Sequence, residues 1–424
     1  MNKEKIGLNS LRWKFTIYFL LIALIPLIIL GVFSYINSSS AIEMENEHML
    51  TAVRVIKQSQ IESYLEERLG DIKVLSSNPA VKEALSAFDQ AIETQAEAAG
   101  IEEKAVMDTI FRTEYLGSPE MADSGDGTEY SRVHSEYHAM FKQYMEEYGY
   151  YDIFLVEPHS GVIVYTVYKE TDFGTSLLTG PYKDTNIAAA YLEAMEANSE
   201  DFVTMEDFAY YEPSDGAASF VASPIFVQDE LAGVLVFQLP IDQINAVMQE
   251  KAGMGETGET YLVGSDLLMR SDSRFTDEST IFVQEIDTVS ANNALNGEEG
   301  FDIIEDYRGV SVLSSYAKLD VSHIHWAILA EIDEAEAFAP ARQQLTMTIL
   351  SVTVIGVIVV VIAVVISNGI TKPILLITEG AKRFSIGDFE LKGMNFAEIE
   401  KINNRKDELG AIGKAFNQLI EYLQ

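Results

Sequence analysis

Two histidines one helical turn apart, in His134-Ser-Glu-Tyr-His138, make the first candidate for metal chemistry in this chain. At i and i+4 their imidazoles share one helix face, a spacing that lets two nitrogens reach one zinc ion. The order is not His-Glu-x-x-His and no third ligand stands out, so the pair reads as surface or hydrogen-bonded side chains. His323 and His325 flank Ile324 at strand period and share one face, with Ile324 and Trp326 on the other. Asp123-Ser-Gly-Asp-Gly opens like a calcium loop, but the later ligands are missing and a plain turn is expected. No Ser-His-Asp order or carboxylate pair rises above the acidic background. There is no cysteine, which excludes thiol chemistry, disulfides and cysteine metal sites. The reading therefore expects no catalytic residue, no metal and no cofactor. One base does stand apart: Lys169 is alone between Lys142 and Lys183, beside Glu170 and Asp172. A lone ammonium among acids either meets a ligand carboxylate or neutralises its neighbours.

The elements that position these residues are bracketed by two apolar runs. Phe15 to Ile36 carries no charged side chain, and Leu345 to Ser367 has no ionisable one. A bilayer core needs roughly 20 apolar helical residues, so both are read as membrane spans. A cleaved signal peptide fits the first run poorly, because the run is long and no A-x-A-like site follows it. Lys3, Lys5, Arg12 and Lys14 precede the first span, and Lys372, Lys382 and Arg383 follow the second. Basic flanks mark the cytoplasmic side. The expected order is a cytoplasmic N-terminus at 1–14, a span at 15–36, an extracytoplasmic domain at 37–344, a span at 345–367 and a cytoplasmic tail at 368–424. The expected location is the plasma (inner) membrane, with the ectodomain in the periplasm or outside. The formal charge is −37 and most of the acid lies between the spans. Such a surface repels nucleic acid.

Within the ectodomain, Leu50, Val53, Ile61, Leu65, Leu69, Ile72 and Leu75 recur at threes and fours, which predicts one long amphipathic helix from about Ser38 to Leu75. Asn78-Pro79 stops it, and a short helix over Ala80 to Phe88 restarts. Residues 89 to 128 read as helices joined by loops. From Tyr150 the period changes to short β-branched and aromatic runs: YYDIFLVE, GVIVYTVYK, ASFVASPIFV and LAGVLVFQLP. A helix over Thr185 to Ala197 interrupts them. This predicts an antiparallel sheet with helices on one face, an α+β layer. A helix over Ile241 to Glu250 leads to a second set, GETGETYLVG, DLLMRSD, GFDIIEDYRGVSVLSSYAKL and HWAILAEID. Two sheet modules on one long helix follow, the distal one at about 130–240 and the proximal one at about 250–335.

Asn78-Pro-Ala-Val81, Tyr151-Asp-Ile-Phe-Leu155 and Tyr165-Thr-Val-Tyr-Lys-Glu-Thr-Asp-Phe-Gly-Thr175 carry a resemblance, joined by Ala222-Ser-Pro-Ile-Phe226, Gly233 to Gln238, Gly253 to Gly264 and Met269 to Ser273. Together they resemble the double-Cache sensor domains of bacterial chemotaxis transducers, sensor kinases and cyclases. The resemblance implies a small-molecule ligand, held in the distal module between the sheet and a covering loop. Here that cover is Lys169 to Tyr182, and the implied contacts are Tyr165, Lys169, Asp172, Tyr182, Asp207 and Tyr210, with Tyr211 on the floor. The family's amino-acid-binding members carry an arginine-tryptophan-tyrosine pattern in the cover. This chain lacks it, which puts α-amino-acid recognition in doubt.

The last 55 residues carry a second pattern. Pro373 is followed by Ile377, Ala381, Phe384 and Gly387-Asp388, one apolar seam ended by a turn; then Asp407-Glu408-Leu-Gly410 leads to Ile412, Phe416, Leu419 and Leu423. This is similar to a HAMP linker, which implies a parallel four-helix bundle built from two chains, hence a parallel homodimer. The residues assigned to signal relay are Pro373, Ile377, Phe384, Gly387, Asp407, Glu408, Ile412 and Phe416. No phosphate loop, kinase histidine box or cyclase motif occurs. The function expected is a transmembrane receptor that senses an extracytoplasmic ligand and signals through HAMP to downstream cytoplasmic proteins. The alternatives are the front part of a receptor kinase or cyclase, and a constitutive dimerisation scaffold with a vestigial pocket.

Overall fold

The computed structural model describes residues 11–386 and 394–423. The chain divides into two compact units: Met44–Ala337, and a second made of Met1–Glu43 with Phe338–Gln424. The span and the long helix expected separately are one helix, α1 (Leu11–Ser76), with only Pro26 inside it as a helix breaker. Its part in the second unit keeps large apolar side chains exposed, Ile22, Ile29 and Leu30 among them, while Ile61, Leu65, Ile72 and Leu75 in the first unit are buried.

Asn78 caps α2 (Pro79–Ala99): its Oδ1 accepts from the Ala80 N–H at 2.9 Å, and Pro79 stands at the first helical position, where its missing donor costs nothing. The helix runs past the expected Phe88, because Ala91, Ile92 and Ala96 continue the buried stripe as far as the left-handed Gly100. A broken helical run follows, α3 (Glu103–Val106), one π-helical turn (Met107–Phe111) and α4 (Arg112–Tyr115), and then α5 (Glu129–Tyr148).

The first sheet contains β1 (Asp152–Val156), β2 (Ile163–Thr166), β3 (Thr204–Tyr211), β4 (Gly216–Val227) and β5 (Glu230–Pro240), in the order β2-β1-β5-β4-β3. All pairs are antiparallel. Helices lie on both faces, not one as the sequence pattern predicts. Ile153, Leu155, Val221, Leu235 and Phe237 pack with α1, α2 and α5. Phe154, Phe220, Val234 and Val236 pack with α6 (Asn186–Glu196). The strands' near-continuous apolar runs are what two covered faces require.

After α7 (Asp242–Gln249), the second sheet is β6 (Glu259–Val263), β7 (Gly300–Glu305), β8 (Ser311–Val321) and β9 (Ile324–Asp333), in the order β6-β9-β8-β7. One face carries α8 (Val289–Leu295). Leu262, Leu319, Trp326 and Ile328 on the other face join the core around α1. DLLMRSD forms only isolated bridges, Val263 to Met269 and Leu268 to Glu285, not the expected strand. The unit ends at α9 (Glu334–Ala337).

The other unit contains α10 (Ala339–Ser385), α11 (Phe396–Asn403) and α12 (Glu408–Leu423). Trp13–Ser76 and Ala339–Ser385 are helices long and apolar enough to cross a membrane.

Candidate functional site

The cover over the first sheet begins at the end of β2. Lys169 is in the left-handed region at φ 55°, which costs an L-residue roughly 1–2 kcal/mol. The Gly117 N–H holds the Lys169 carbonyl at 2.8 Å and so fixes that bend. A second bend falls at Gly180, where a Cβ would lie 2.5 Å from the Ser176 carbonyl, so only glycine fits. Between the bends the chain buries Asp172, Phe173 and Leu177.

Asp172 is the centre of this arrangement. It is fully buried, and its Oδ2 accepts from the Tyr211 hydroxyl at 2.6 Å. Its Oδ1 has no hydrogen-bond partner. Burial pushes the carboxyl up to about 6, with the Tyr211 hydroxyl, the Asp172 and Phe173 backbone N–H groups and the Arg112 charge pulling the other way. Tyr211 and Leu177 pack on the α6 side of the sheet, with Tyr182 partly buried against them. The Tyr182 hydroxyl donates to Glu212 at 2.9 Å and lies 2.8 Å from the Thr171 hydroxyl. Asp152, also buried, accepts from the Ile153, Val167 and Tyr168 N–H groups and the Thr166 hydroxyl. These donors occupy both its oxygens.

The remaining residues assigned from sequence lie elsewhere. Tyr165 belongs to the opposite face, where its hydroxyl meets His138 Nδ1 at 2.8 Å. Lys169 forms no ion pair with Asp172 or Glu170; its ammonium donates to the Val167 carbonyl at 3.0 Å and stands 6.0 Å from the Tyr115 ring centre. Burial lowers it to about 8. Tyr115 is in the core of the α5 side, so this cation faces away from Asp172's partner Tyr211. Asp207 is turned toward the second sheet: its carboxylate accepts from Trp326 Nε1 at 2.9 Å and lies 3.4 Å from the Arg270 guanidinium. Tyr210 is 60% exposed and donates to Asp215. The structure thus brings Asp172 and Tyr182 together with Tyr211, and does not bring Tyr165, Lys169, Asp207 or Tyr210 to the same place.

Neither nitrogen of His138 is free, since Nε2 lies 2.9 Å from the Pro119 carbonyl and so must donate, leaving Nδ1 to accept from Tyr165. His134 places Nδ1 2.7 Å from the Ala122 carbonyl. Burial lowers the two histidines to about 4 and about 3, so both are neutral core residues, and not the surface pair that the spacing alone allows. A different group of metal-type side chains, Glu193, Glu206 and His323, lies near the surface, with His323 Nε2 3.3 Å from Glu193. Nothing in their sequence spacing signals this juxtaposition, which arises from α6, β3 and the β8–β9 turn.

At the C-terminal end, Phe416 and Ile420 of α12 pack with Met394, Phe384 and Ile399. Gly380 admits the Phe416 ring, which a Cβ there would meet at 2.9 Å. Pro373 is buried. Asp407 opens α12 by accepting from the Gly410 N–H at 3.2 Å, and its ion pair with Arg405 at 2.6 Å holds its carboxyl down at about 2. Arg405 in turn donates to the Gly369 carbonyl at 3.0 Å. Within the single chain Ile420 is buried with Phe416, whereas Ile412 and Leu419 of the expected seam are about half exposed. Ile377 is partly buried, and Glu408 begins α12. Gly387 lies outside the described residues.

Residues 37–341 match the Cache domain family. The chain belongs to that family. A HAMP domain follows the Cache domain at residues 365–424. Among curated proteins, a probable chemoreceptor of Sinorhizobium fredii, y4sI, is 26% identical over 269 residues, covering 62% of this chain. The matched stretch spans 32% of that relative's length. Among solved structures, the ligand-binding domain of the Campylobacter jejuni chemoreceptor Tlp3 with 4-methylisoleucine is 12% identical, at TM-score 0.44. It covers 70% of this chain and 94% of its own. The ligand-binding domain of the Pseudomonas aeruginosa amino acid chemoreceptor PctC with GABA is 14% identical at TM-score 0.41, covering 68% of this chain and all of its own. A Cache sensor module and a HAMP relay on one chain, with two helices able to span a membrane, form the organisation of a ligand-sensing membrane receptor.

Proposed function

We propose that this chain senses a small extracytoplasmic molecule under the 169–182 cover of its distal module. On this reading it relays the change through its HAMP helices to downstream cytoplasmic proteins, and catalyses nothing itself. It does so as a parallel homodimer in the plasma membrane. The observation that carries the site is Asp172: a fully buried carboxyl with one oxygen held by Tyr211 and the other without a donor. Such a group costs roughly 1–3 kcal/mol if nothing satisfies it, so its natural reading is a contact completed by a ligand.

The half-exposed Ile412 and Leu419 support the dimer, since a strip of apolar side chains on a short helix is what a partner HAMP chain covers. The amino-acid chemoreceptor neighbours are consistent with a small ligand and leave its class open.

The test is a thermal-unfolding screen of the full chain in nanodiscs against amines, carboxylates, amino acids and sugars. A ligand at about 100 times its Kd stabilises by roughly 2.7 kcal/mol. The shift should saturate and should vanish in Asp172→Ala. Saturable binding that Asp172→Ala leaves untouched would move the site elsewhere, and no shift with any class would favour a scaffold.

A further inference from the structure

We infer that Glu193, Glu206 and His323 form a site for a zinc-class divalent cation that ties the two sheet modules together. The inference is independent of the distal cover and of what binds there. Glu193 lies near the end of α6, Glu206 on β3 and His323 in the turn between β8 and β9. One ligand atom of each lies within 4.8 Å of the other two. With 66 acids in the chain, neighbouring carboxylates are commonplace on this surface and signify nothing. Yet among the described residues this is the only group of three acid or histidine side chains whose ligand atoms converge so closely, and its histidine comes from the other module. Zinc binds imidazole nitrogen and carboxylate oxygen at about 2.0–2.2 Å in a tetrahedron, whose edges are then roughly 3.3–3.6 Å. His323 Nε2 already stands 3.3 Å from Glu193 Oε2. Rotation about the Glu206 side-chain bonds supplies the remaining approach.

The surroundings hold these ligands from outside. The Thr204 hydroxyl donates to Glu193 Oε2 at 2.5 Å, and such outer bonds are what orient a ligating carboxylate. The Met205 N–H donates to the Ser322 hydroxyl at 3.2 Å, which pins the β8–β9 turn to β3, and Ser322 takes the left-handed bend at φ 52° that leads into His323. A plain histidine–glutamate ion pair needs one carboxylate, and here there are two. Burial, with the charges of Glu193 and Asp207 adding to it, raises the Glu206 carboxyl above its ordinary value against the pull of His323. The group is therefore short of positive charge, which a divalent cation supplies. One imidazole with two carboxylates suits zinc and its transition-metal neighbours, whereas calcium and magnesium take six or more oxygen ligands. Three protein ligands leave a fourth position for water. Because α6 and β3 belong to one module and the turn to the other, a bound ion would restrain their relative movement.

The experiment is calorimetric titration of the chelator-treated full chain, in phosphatidylcholine nanodiscs, with Zn²⁺, Mg²⁺ and Ca²⁺. Zinc should bind saturably at one site per chain, and at least about tenfold more tightly than the other two. Glu206→Gln and His323→Ala should each weaken zinc binding by roughly tenfold or more. Zinc should also raise the melting temperature of the wild type and not that of His323→Ala. His325, which meets Asp320 on the neighbouring strand, is the control: His325→Ala should leave zinc binding unchanged. Zinc affinity no higher than that for magnesium or calcium would overturn the site. Zinc binding that Glu206→Gln and His323→Ala both leave unchanged would mean an adventitious ion only. Loss of binding in His325→Ala alone would move the ion to Asp320 and His325 and overturn the link between the modules.

Discussion

Glu331→Gln should make the protein more stable by about 3 to 4 kcal/mol at pH 8 and by only about 1 kcal/mol at pH 5. Glu331 on β9 stands directly opposite Glu259 on β6, and the two are 2% and 4% exposed. Their surroundings differ. Glu259 accepts from the Ser273 hydroxyl at 2.7 Å and from the Arg274 N–H and Tyr307 hydroxyl at 2.8 Å each. Glu331 accepts from the Tyr261 hydroxyl at 2.9 Å, and Ser314 stands opposite it across the β8–β9 pair. Burial, with the charges of Asp306 and Glu259 adding to it, pushes Glu331 up to about 7 against the pull of the Ser314 and Tyr261 hydroxyls.

An unfolded glutamate titrates near 4.3, so between about pH 4.3 and 7 the folded chain holds a proton that the unfolded chain has lost. The associated stability is present in full below about pH 4 and is lost as pH rises through about 7, at roughly 1.4 kcal/mol per unit. The interval gives about 3 to 4 kcal/mol in total. Glutamine still accepts from Tyr261 and cannot ionise, so the variant does not lose this stability. Thermal unfolding of wild type and variant in nanodiscs at pH 5 and pH 8 reads the difference, in which the other titrating groups largely cancel. A variant whose advantage is the same at both pH values, or which is less stable at pH 8, would refute an ionisable carboxyl held uncharged by burial.

Asp207→Ala should lower stability by about 1–3 kcal/mol, since it strands the buried Trp326 N–H, and chemical denaturation would detect it. Asp207→Asn should recover most of that loss by restoring the acceptor; failure to do so would assign the effect to Arg270. Ile412→Cys and Leu419→Cys, in a chain with no native cysteine, should crosslink to their own copies on oxidation far better than Phe416→Cys, which packs inside its own chain. Equal yields at the three positions would argue against the paired bundle. A reporter active only outside the cytoplasm should work when inserted near Ser124 and be silent after Gln424, and the reverse would invert the topology.

Much of this architecture is legible because it rests on long-range periodicity. The two apolar runs, the stripe Ile61-Leu65-Ile72-Leu75 and the Asn78-Pro79 stop need only burial and capping to be read. β3 and α8 were harder. Thr204 to Tyr211 includes Glu206 and Asp207 and breaks alternation at a bulge between Glu206 and Ala209, so it lacks the apolar run that marks β4 and β5. Val289 to Leu295 is one short helix with two asparagines, held by the Thr288 cap and by tertiary burial of Ala291 and Ala294. The candidate site was only partly legible. The cover was found by its sequence block, and Asp172 and Tyr182 lie in it. Which side each residue faces depends on β2 being an edge strand with a register shift at Leu155/Val156, and no local pattern shows that. It turns Tyr165 to the α5 face and leaves Thr166 with Asp152 on the other.

β3 would give the proposed distal site a physical route to the proximal module. One end of this edge strand carries Tyr211, whose hydroxyl holds Asp172. The other end carries three contacts to the second sheet module: the Met205 N–H donates to the Ser322 hydroxyl at 3.2 Å, Asp207 accepts from Trp326, and Glu206 lies with His323. Four residues of strand separate Tyr211 from Asp207, roughly 13 Å at 3.3 Å each. An edge strand is bonded on one side only, so it can shift at lower cost than a central one, and the bulge at Glu206/Ala209 is where the ladder is already interrupted. A ligand that completes Asp172 changes what Tyr211 must satisfy, and Tyr211 cannot move without pulling on β3. The quantity that matters is then the difference in ligand affinity between two positions of this strand; an occupant that binds both equally well produces no signal, however tightly it binds. Asp207→Ala is the variant that separates the two: it leaves Asp172 and Tyr211 intact and removes the acceptor of Trp326, so ligand affinity should persist while the ligand's effect on the Trp326 environment weakens. Tryptophan fluorescence of the full chain, with Trp13 replaced by phenylalanine so that Trp326 alone reports, reads that coupling directly. An unchanged ligand-induced signal in Asp207→Ala would show that the route to the proximal module does not run through this carboxylate.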